Sequence, residues 1–95
     1  MKNCLEQKSA EVEIVNDLGL HARAAATFVK VASKFNCDIK VERDGLQANG
    51  KSIMGVMMLA APKGSIIKIY ACGENSEEAL NALKSLIQNK FGEER

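Results

Sequence analysis

With 95 residues the chain has the length of one domain, and we predict a single domain over residues 1–95. Its formal net charge is only +1, whereas a general nucleic-acid-binding protein usually has a clear excess of basic residues. No apolar run approaches the roughly 20 residues of a membrane span, and the first ten residues hold no apolar stretch of signal-peptide length. We therefore expect a cytoplasmic protein that neither binds nucleic acid nor inserts into a membrane.

The three cysteines are odd in number and far apart, and no C-x-x-C pair occurs. A zinc site or a redox pair is therefore not expected, and we predict no bound metal and no cofactor. Cys37 and Cys72 stand at strand-like positions, where the sequence favours small buried hydrophobic side chains.

The first predicted element is a half-buried strand over residues 10–15, because its apolar and acidic residues alternate. Residues 16–20 form a loop in which Gly19 permits a positive φ. A helix over residues 22–34 follows. Its apolar stripe at helical spacing consists of Ala25, Phe28, Val29, Ala32 and Phe35.

Alternation returns in residues 37–43, and Asp44-Gly45 is a strong hairpin signal before a short return strand over residues 46–49. Ser52 is then suited to cap a short helix that runs to about residue 61, with Pro62 as its stop.

Residues 65–72 form the last predicted strand, and Ser76 is predicted to cap a final helix with Glu77 and Glu78 in its first turn. The core-facing stripe of this helix is predicted to be Ala79, Leu80, Leu83, Leu86, Ile87 and Phe91.

The predicted order is β-α-β-β-α-β-α, which indicates an α+β domain. Four short strands with one polar face imply an antiparallel sheet covered by helices on one side. The pattern does not fix the strand order, and a ferredoxin-like split arrangement shares it up to the last helix.

The single histidine, His21, lies where the first loop ends and the first helix begins. Free N–H groups and the helix dipole favour an anion there, and imidazole can form a covalent intermediate. Arg23 adds a fixed positive charge. This predicts a phosphoryl group carried on the ring, although a plain exposed histidine remains the alternative until a second feature supports the site.

Residues 45–52 read GLQANGKS and satisfy the P-loop pattern. The context does not fit, because Gly45 belongs to the hairpin turn and residues 46–49 to a strand. We therefore expect no nucleotide site here.

The segment 53–61 (IMGVMMLAA) is apolar at nearly every position. A fully buried helix is one interpretation. In a one-layer protein, however, some of Ile53, Met54, Met57 and Met58 should face solvent and suit contact with several partners. Ser52 would then be a sensible phosphorylation switch beside that surface, or simply a cap.

Three segments carry a resemblance to a known family: LGLHAR around His21, KSIMGVMML at residues 51–59, and NSEEAL at residues 75–80. Over residues 10–90 the chain resembles HPr, the histidine-containing phosphocarriers of the bacterial sugar phosphotransferase system. Two departures occur, since Ala24 replaces the usual proline and Ala60 the common glycine. Alanine at position 24 keeps a backbone N–H in the first helical turn. We assign no consequence to Ala60.

The resemblance implies an open-faced β-sandwich with strand order 1-4-2-3 and three helices on one face. It implies a stoichiometric carrier, not an enzyme, phosphorylated on Nδ1 of His21 by Enzyme I. Arg23 corresponds to the active-site arginine, and the backbone amides of Ala22, Arg23 and Ala24 would steady the phosphoryl group.

The same resemblance implies transfer to the IIA domains of sugar permeases. Ser52 corresponds to the serine modified by HPr kinase/phosphorylase, with a transcription regulator as a further partner. We expect a monomer. The docking face would include Ala26, Lys30, Ile53, Met54 and Met57.

Three other functions compete with the carrier. A regulatory paralogue acting through the Ser52 face would need no acceptor histidine. An RNA-binding sheet needs aromatic residues on its open face, where only Tyr70 is available. A metal-carrying ferredoxin-like domain lacks its C-x-x-C ligands.

Overall fold

The computed structural model describes residue 4 and residues 7–95, and its elements follow the predicted order. The strands are β1 (Lys8–Glu13), β2 (Asp38–Arg43), β3 (Leu46–Asn49) and β4 (Ile66–Cys72). The helices are α1 (Ala22–Ala32), α2 (Ile53–Met58) and α3 (Ser76–Gln88), and a 3₁₀ turn over Lys90–Gly92 follows α3.

The four strands form one antiparallel sheet with the order β1-β4-β2-β3. Its two central strands are β4 and β2, and Ile67 of β4 lies opposite Val12 of β1, whereas Ile69 of β4 lies opposite Val41 of β2. Side chains directly opposite each other share a face, so this register places all of these apolar residues on one side. The strand order that the resemblance implies is confirmed, as is the open-faced α+β architecture.

The core lies between that face of the sheet and the helices. Most of the predicted stripes are buried as expected, and Phe28 of α1 is the largest side chain that is fully enclosed. Val29, Phe35 and Leu86 are only partly buried at its margin. The three helices therefore form one layer that packs on one face of the sheet.

The hairpin at Asp44-Gly45 is confirmed, and both residues have positive φ, at 51° and 84°. This is the conformation that a two-residue hairpin turn requires. The P-loop pattern is therefore split between a hairpin turn and β3, as its context predicted.

Two helices end earlier than predicted. Residues 22–34 were expected to be helical, but α1 ends at Ala32. The second helix was expected to reach residue 61, but α2 ends at Met58 because Ala60 adopts a left-handed conformation with φ +49°. Ala60 thus does have a consequence: it holds a conformation that favours glycine, and it turns the chain before Pro62.

The predicted cap of the last helix is wrong. Ser76 is the first residue of α3 and is buried, and the capping position belongs to Asn75, which has φ 60° and makes no side-chain capping bond. Asparagine tolerates the left-handed region better than most residues, so the turn forms one residue earlier. Glu77 and Glu78 still occupy the first turn, where their charge suits the helix dipole.

The prediction of buried cysteines is confirmed for Cys37 and wrong for Cys72. Cys37 is buried, and burial raises the pKa of its thiol, as for an inert core cysteine. Cys72 is instead half-buried and forms a disulfide with Cys4, with a Cα–Cα distance of 6.0 Å. The two are 68 residues apart, and only the pairing of β1 with β4, where Lys8 lies opposite Ala71, brings them together.

Among the described residues, no helix combines the length and apolar character needed to cross a membrane.

Candidate functional site

His21 immediately precedes α1 as its capping residue, with an extended backbone at φ −75° and ψ −179°. Its carbonyl oxygen accepts the N–H of Ala25 at 2.8 Å, which is the first bond of the helix. Its imidazole makes no capping bond and is 28% exposed. The ring is therefore neither deep in the core nor used to close the helix, and it is accessible for chemistry.

The loop that presents His21 is held by hydrogen bonds within the loop and to a distant segment. Asn16 is fully buried, and its side-chain Nδ2 donates to the carbonyl oxygen of Gly19 at 2.8 Å. The N–H of Leu20 donates to the carbonyl oxygen of Ala61 at 2.9 Å, which ties the loop to the segment after α2. Gly19 itself has φ +67°. These contacts fix the point at which the chain enters α1.

The predicted phosphoryl-binding groups occupy the first turn of α1. N–H groups in a first turn have no partner inside the helix and remain available to an anion. Ala22 and Arg23 are exposed, whereas Ala24 packs into the core. The Arg23 guanidinium forms no ion pair with the described residues. The structure thus brings together His21, the free N–H groups at the start of α1 and a guanidinium that makes no direct ion pair with the described residues.

Glu93 is a further group at the site that the sequence did not reveal. Its Oε2 lies 2.5 Å from Nε2 of His21, and its Oε1 accepts Nδ2 of Asn16 at 2.9 Å. The carboxylate side chain is only 14% exposed. No local pattern could have indicated it, because His21 and Glu93 are 72 residues apart in the sequence.

The charge of Glu93 follows from its surroundings. Burial disfavours the ionised carboxylate, but hydrogen bonds from Asn16 and His21 and the nearby Arg23 outweigh it and lower the pKa of Glu93. Glu93 is therefore a carboxylate at neutral pH. The segment that carries it is also held by its backbone, since the carbonyl oxygen of Arg95 accepts the N–H of Asp17 at 3.0 Å.

Ser52 is the capping residue of α2, as predicted. Its Oγ accepts the N–H of Gly55 at 3.1 Å, and the residue is half-buried. It lies on a different helix from His21, although α1 and α2 pack against each other.

The predicted docking residues lie on an exposed apolar surface. In α2 only Val56 is buried, so the interpretation of 53–61 as a fully buried helix is wrong. Met54 and Met58 are each 71% exposed, and Leu18 in the loop before His21 is 72% exposed. Leu18 was not predicted. The exposed residues of this surface are Ala26, Lys30, Ile53, Met54, Met57 and Met58, and Leu18 lines a cleft with His21.

Known proteins resemble this chain in sequence. Residues 8–89 match the family described as the PTS HPr component phosphorylation site. The phosphocarrier protein HPr of Pseudomonas aeruginosa is 54% identical over 84 residues, which cover 87% of this chain and 93% of that protein. HPr of Neisseria meningitidis serogroup A is 49% identical over 82 residues, covering 86% and 92%.

Solved structures agree with the fold. HPr of Thermoanaerobacter tengcongensis superposes with a TM-score of 0.88 at 51% identity, covering 93% of this chain and 99% of that one. Crh of Bacillus subtilis, named for catabolite repression and solved as a swapped dimer, gives 0.71 at 43% identity, covering 83% and 91%. This chain belongs to the HPr family and is a phosphocarrier protein of the phosphotransferase system, not an enzyme.

Proposed function

We propose that His21 accepts a phosphoryl group on Nδ1 from phospho-Enzyme I and passes it to IIA domains of sugar permeases. One observation carries this assignment: an accessible imidazole stands at the start of α1 without capping it. We further propose that the chain acts as a monomer in the cytoplasm, which leaves this face for its partners. Because thiols are kept reduced in the cytoplasm, we expect the Cys4–Cys72 disulfide of the structure to be reduced to two free thiols in the cell.

The transfer needs a nucleophile and a cradle for the phosphoryl oxygens. The lone pair of Nδ1 attacks phosphorus, the N–P bond forms, and the bond from phosphorus to the donor breaks with its electron pair left on the donor. The amides of Ala22, Arg23 and Ala24 and the Arg23 guanidinium bind the phosphoryl oxygens through charge-assisted hydrogen bonds. The same contacts hold the group until an acceptor nucleophile attacks it in turn. Neither a metal nor a cofactor takes part.

The partners would dock on the exposed apolar surface beside His21. Methionine side chains adapt their shape, so one surface can fit both a donor and several acceptors. Lys30 adds a cation to this face, four residues after Ala26 on the same side of α1.

Labelling with Enzyme I and radioactive phosphoenolpyruvate tests the proposal. We expect acid-labile label on His21 of the wild-type protein. We expect no label on His21→Ala, because alanine has no ring nitrogen that could form the N–P bond. Circular dichroism would verify that the variant remains folded. Full labelling of His21→Ala would contradict the assignment.

The exposed α2 surface favours a second proposal, regulation at Ser52 by HPr kinase/phosphorylase, with a transcription regulator as a partner of the modified form. A phosphate on Oγ would add a charge of about −1.5 to −2 beside an apolar docking surface. We expect ATP and the kinase to label the wild-type protein, and the modified protein to accept phosphoryl groups from Enzyme I roughly tenfold more slowly.

Ser52→Ala should remain unlabelled by the kinase, whereas Ser85→Ala, an exposed serine on α3, should be labelled normally. Absence of product on the wild-type protein with active kinase would refute regulation at Ser52. A regulatory paralogue that acts only through this face would take label from the kinase and none from Enzyme I, so the two experiments together separate it from a carrier.

A further inference from the structure

We propose that Glu93 is a positioning residue that holds the proton of the His21 ring on Nε2 and so presents Nδ1 as the nucleophile. The inference deepens the proposed function and rests on it. It follows from the contact between Glu93 Oε2 and His21 Nε2 together with the contact between Glu93 Oε1 and Asn16 Nδ2.

The direction of the hydrogen bond fixes the tautomer. An ionised carboxylate only accepts hydrogen bonds, so the nitrogen that faces Glu93 must carry a proton. That nitrogen is Nε2, and in the neutral ring the lone pair then lies on Nδ1. Nδ1 has no hydrogen-bond partner among residue 4 and residues 7–95, so it is available to phosphorus.

The charge of Glu93 also favours the attack. When neutral imidazole forms the N–P bond through Nδ1, the ring keeps its Nε2 proton and becomes cationic. A carboxylate bonded to Nε2–H stabilises that positive charge, as the buried acid of a Ser-His-Asp triad does for its histidine. In the proposed reaction the phosphoryl group is bound at the opposite nitrogen, Nδ1. The carboxylate therefore acts on the ring without occupying the phosphoryl site.

Asn16 orients the carboxylate. Its amide nitrogen donates to two acceptors, the Gly19 carbonyl oxygen at 2.8 Å and Glu93 Oε1 at 2.9 Å, so its position is set by the loop before His21. Both oxygens of Glu93 thus face donors, one from Asn16 and one from His21. A glutamine has only one oxygen to offer to the two donors.

Glu93→Gln consequently tests the inference. With its oxygen turned to Asn16, the glutamine NH₂ faces Nε2 and favours the tautomer with the proton on Nδ1. We expect ¹⁵N NMR of the neutral ring to show protonated Nε2 in the wild-type protein and a substantial population of protonated Nδ1 in the variant. We also expect the rate of phosphoryl transfer from Enzyme I to fall by about tenfold or more, because a hydrogen bond to a charged group typically contributes that much.

Glu94→Gln is the matched control, since it makes the same charge change at the adjacent, exposed residue. It should keep the wild-type ring signals and the wild-type rate. Because a structural defect alone would not exchange the ring tautomer, the ¹⁵N signals separate positioning from general destabilisation.

Two results would overturn the inference. An unchanged tautomer in Glu93→Gln would show that Glu93 does not set the proton. A faster transfer would show that its negative charge mainly repels the incoming phosphoryl group. Both differ from failure of the proposed function, which would appear as an unlabelled wild-type protein or a labelled His21→Ala.

Discussion

Gly19→Ala is expected to destabilise the protein by about 3 kcal/mol, since a left-handed alanine costs roughly 1–2 kcal/mol and overpacking adds roughly 1–3. Gly19 has φ +67°, and a Cβ there would meet the carbonyl oxygen of Ala61 at 2.5 Å and Cα of Pro62 at 2.9 Å. Both are backbone atoms, so the loop itself must move. Denaturant unfolding of the purified protein measures the effect.

The same movement should disturb His21, because it separates Leu20 from Ala61 just before the helix begins. Labelling by Enzyme I should therefore slow in the Gly19→Ala protein even where it remains folded. Gly45→Ala is the matched control: Gly45 has φ +84°, but nothing lies within 4 Å of the new Cβ. It should lose only the conformational part, about 1–2 kcal/mol, and keep its transfer rate. Equal destabilisation by both variants would refute the close-contact argument.

Arg23→Ala is expected to slow phosphoryl transfer to His21 by about 10- to 100-fold, which corresponds to roughly 1.5–3 kcal/mol for hydrogen bonds to a charged group. Arg23 is exposed and has no ion pair with the described part of the chain, so its guanidinium is available to the phosphoryl oxygens. Rapid-quench labelling with phospho-Enzyme I gives the rate.

Two further variants define what Arg23 contributes. Arg23→Lys keeps the charge and loses the planar fork of donors, so its rate should fall between those of the wild-type protein and Arg23→Ala. Lys34→Ala removes the same charge from an exposed residue just beyond the far end of α1 and should leave the rate unchanged. A loss of equal size in Lys34→Ala would mean that overall charge, rather than a local contact, governs the transfer.

Local patterns in the sequence determined most of the fold. The alternation in residues 37–43, the Asp44-Gly45 turn and the stripe through Phe28 each depend on neighbours within a few residues, and each is confirmed. The strand order was predicted only from the resemblance. The alternation of apolar and polar residues indicates which face of the sheet a residue occupies, but not which strand lies beside it. The position of His21 at the start of α1 was equally readable, since a loop glycine and an apolar stripe fix where the helix begins.

Tertiary structure alone decided the rest. Glu93 reaches His21 across 72 residues, and Cys4 reaches Cys72 across 68, because packing the chain brings distant segments together. The left-handed turns at Ala60 and Asn75 were missed for a related reason, since nearby packing can hold a residue in a conformation that its own preference disfavours. The sequence by itself thus determined the place of His21 at the start of α1 and most of the secondary structure, because short-range periodicity carries that information. The fold decided which distant carboxylate faces the ring.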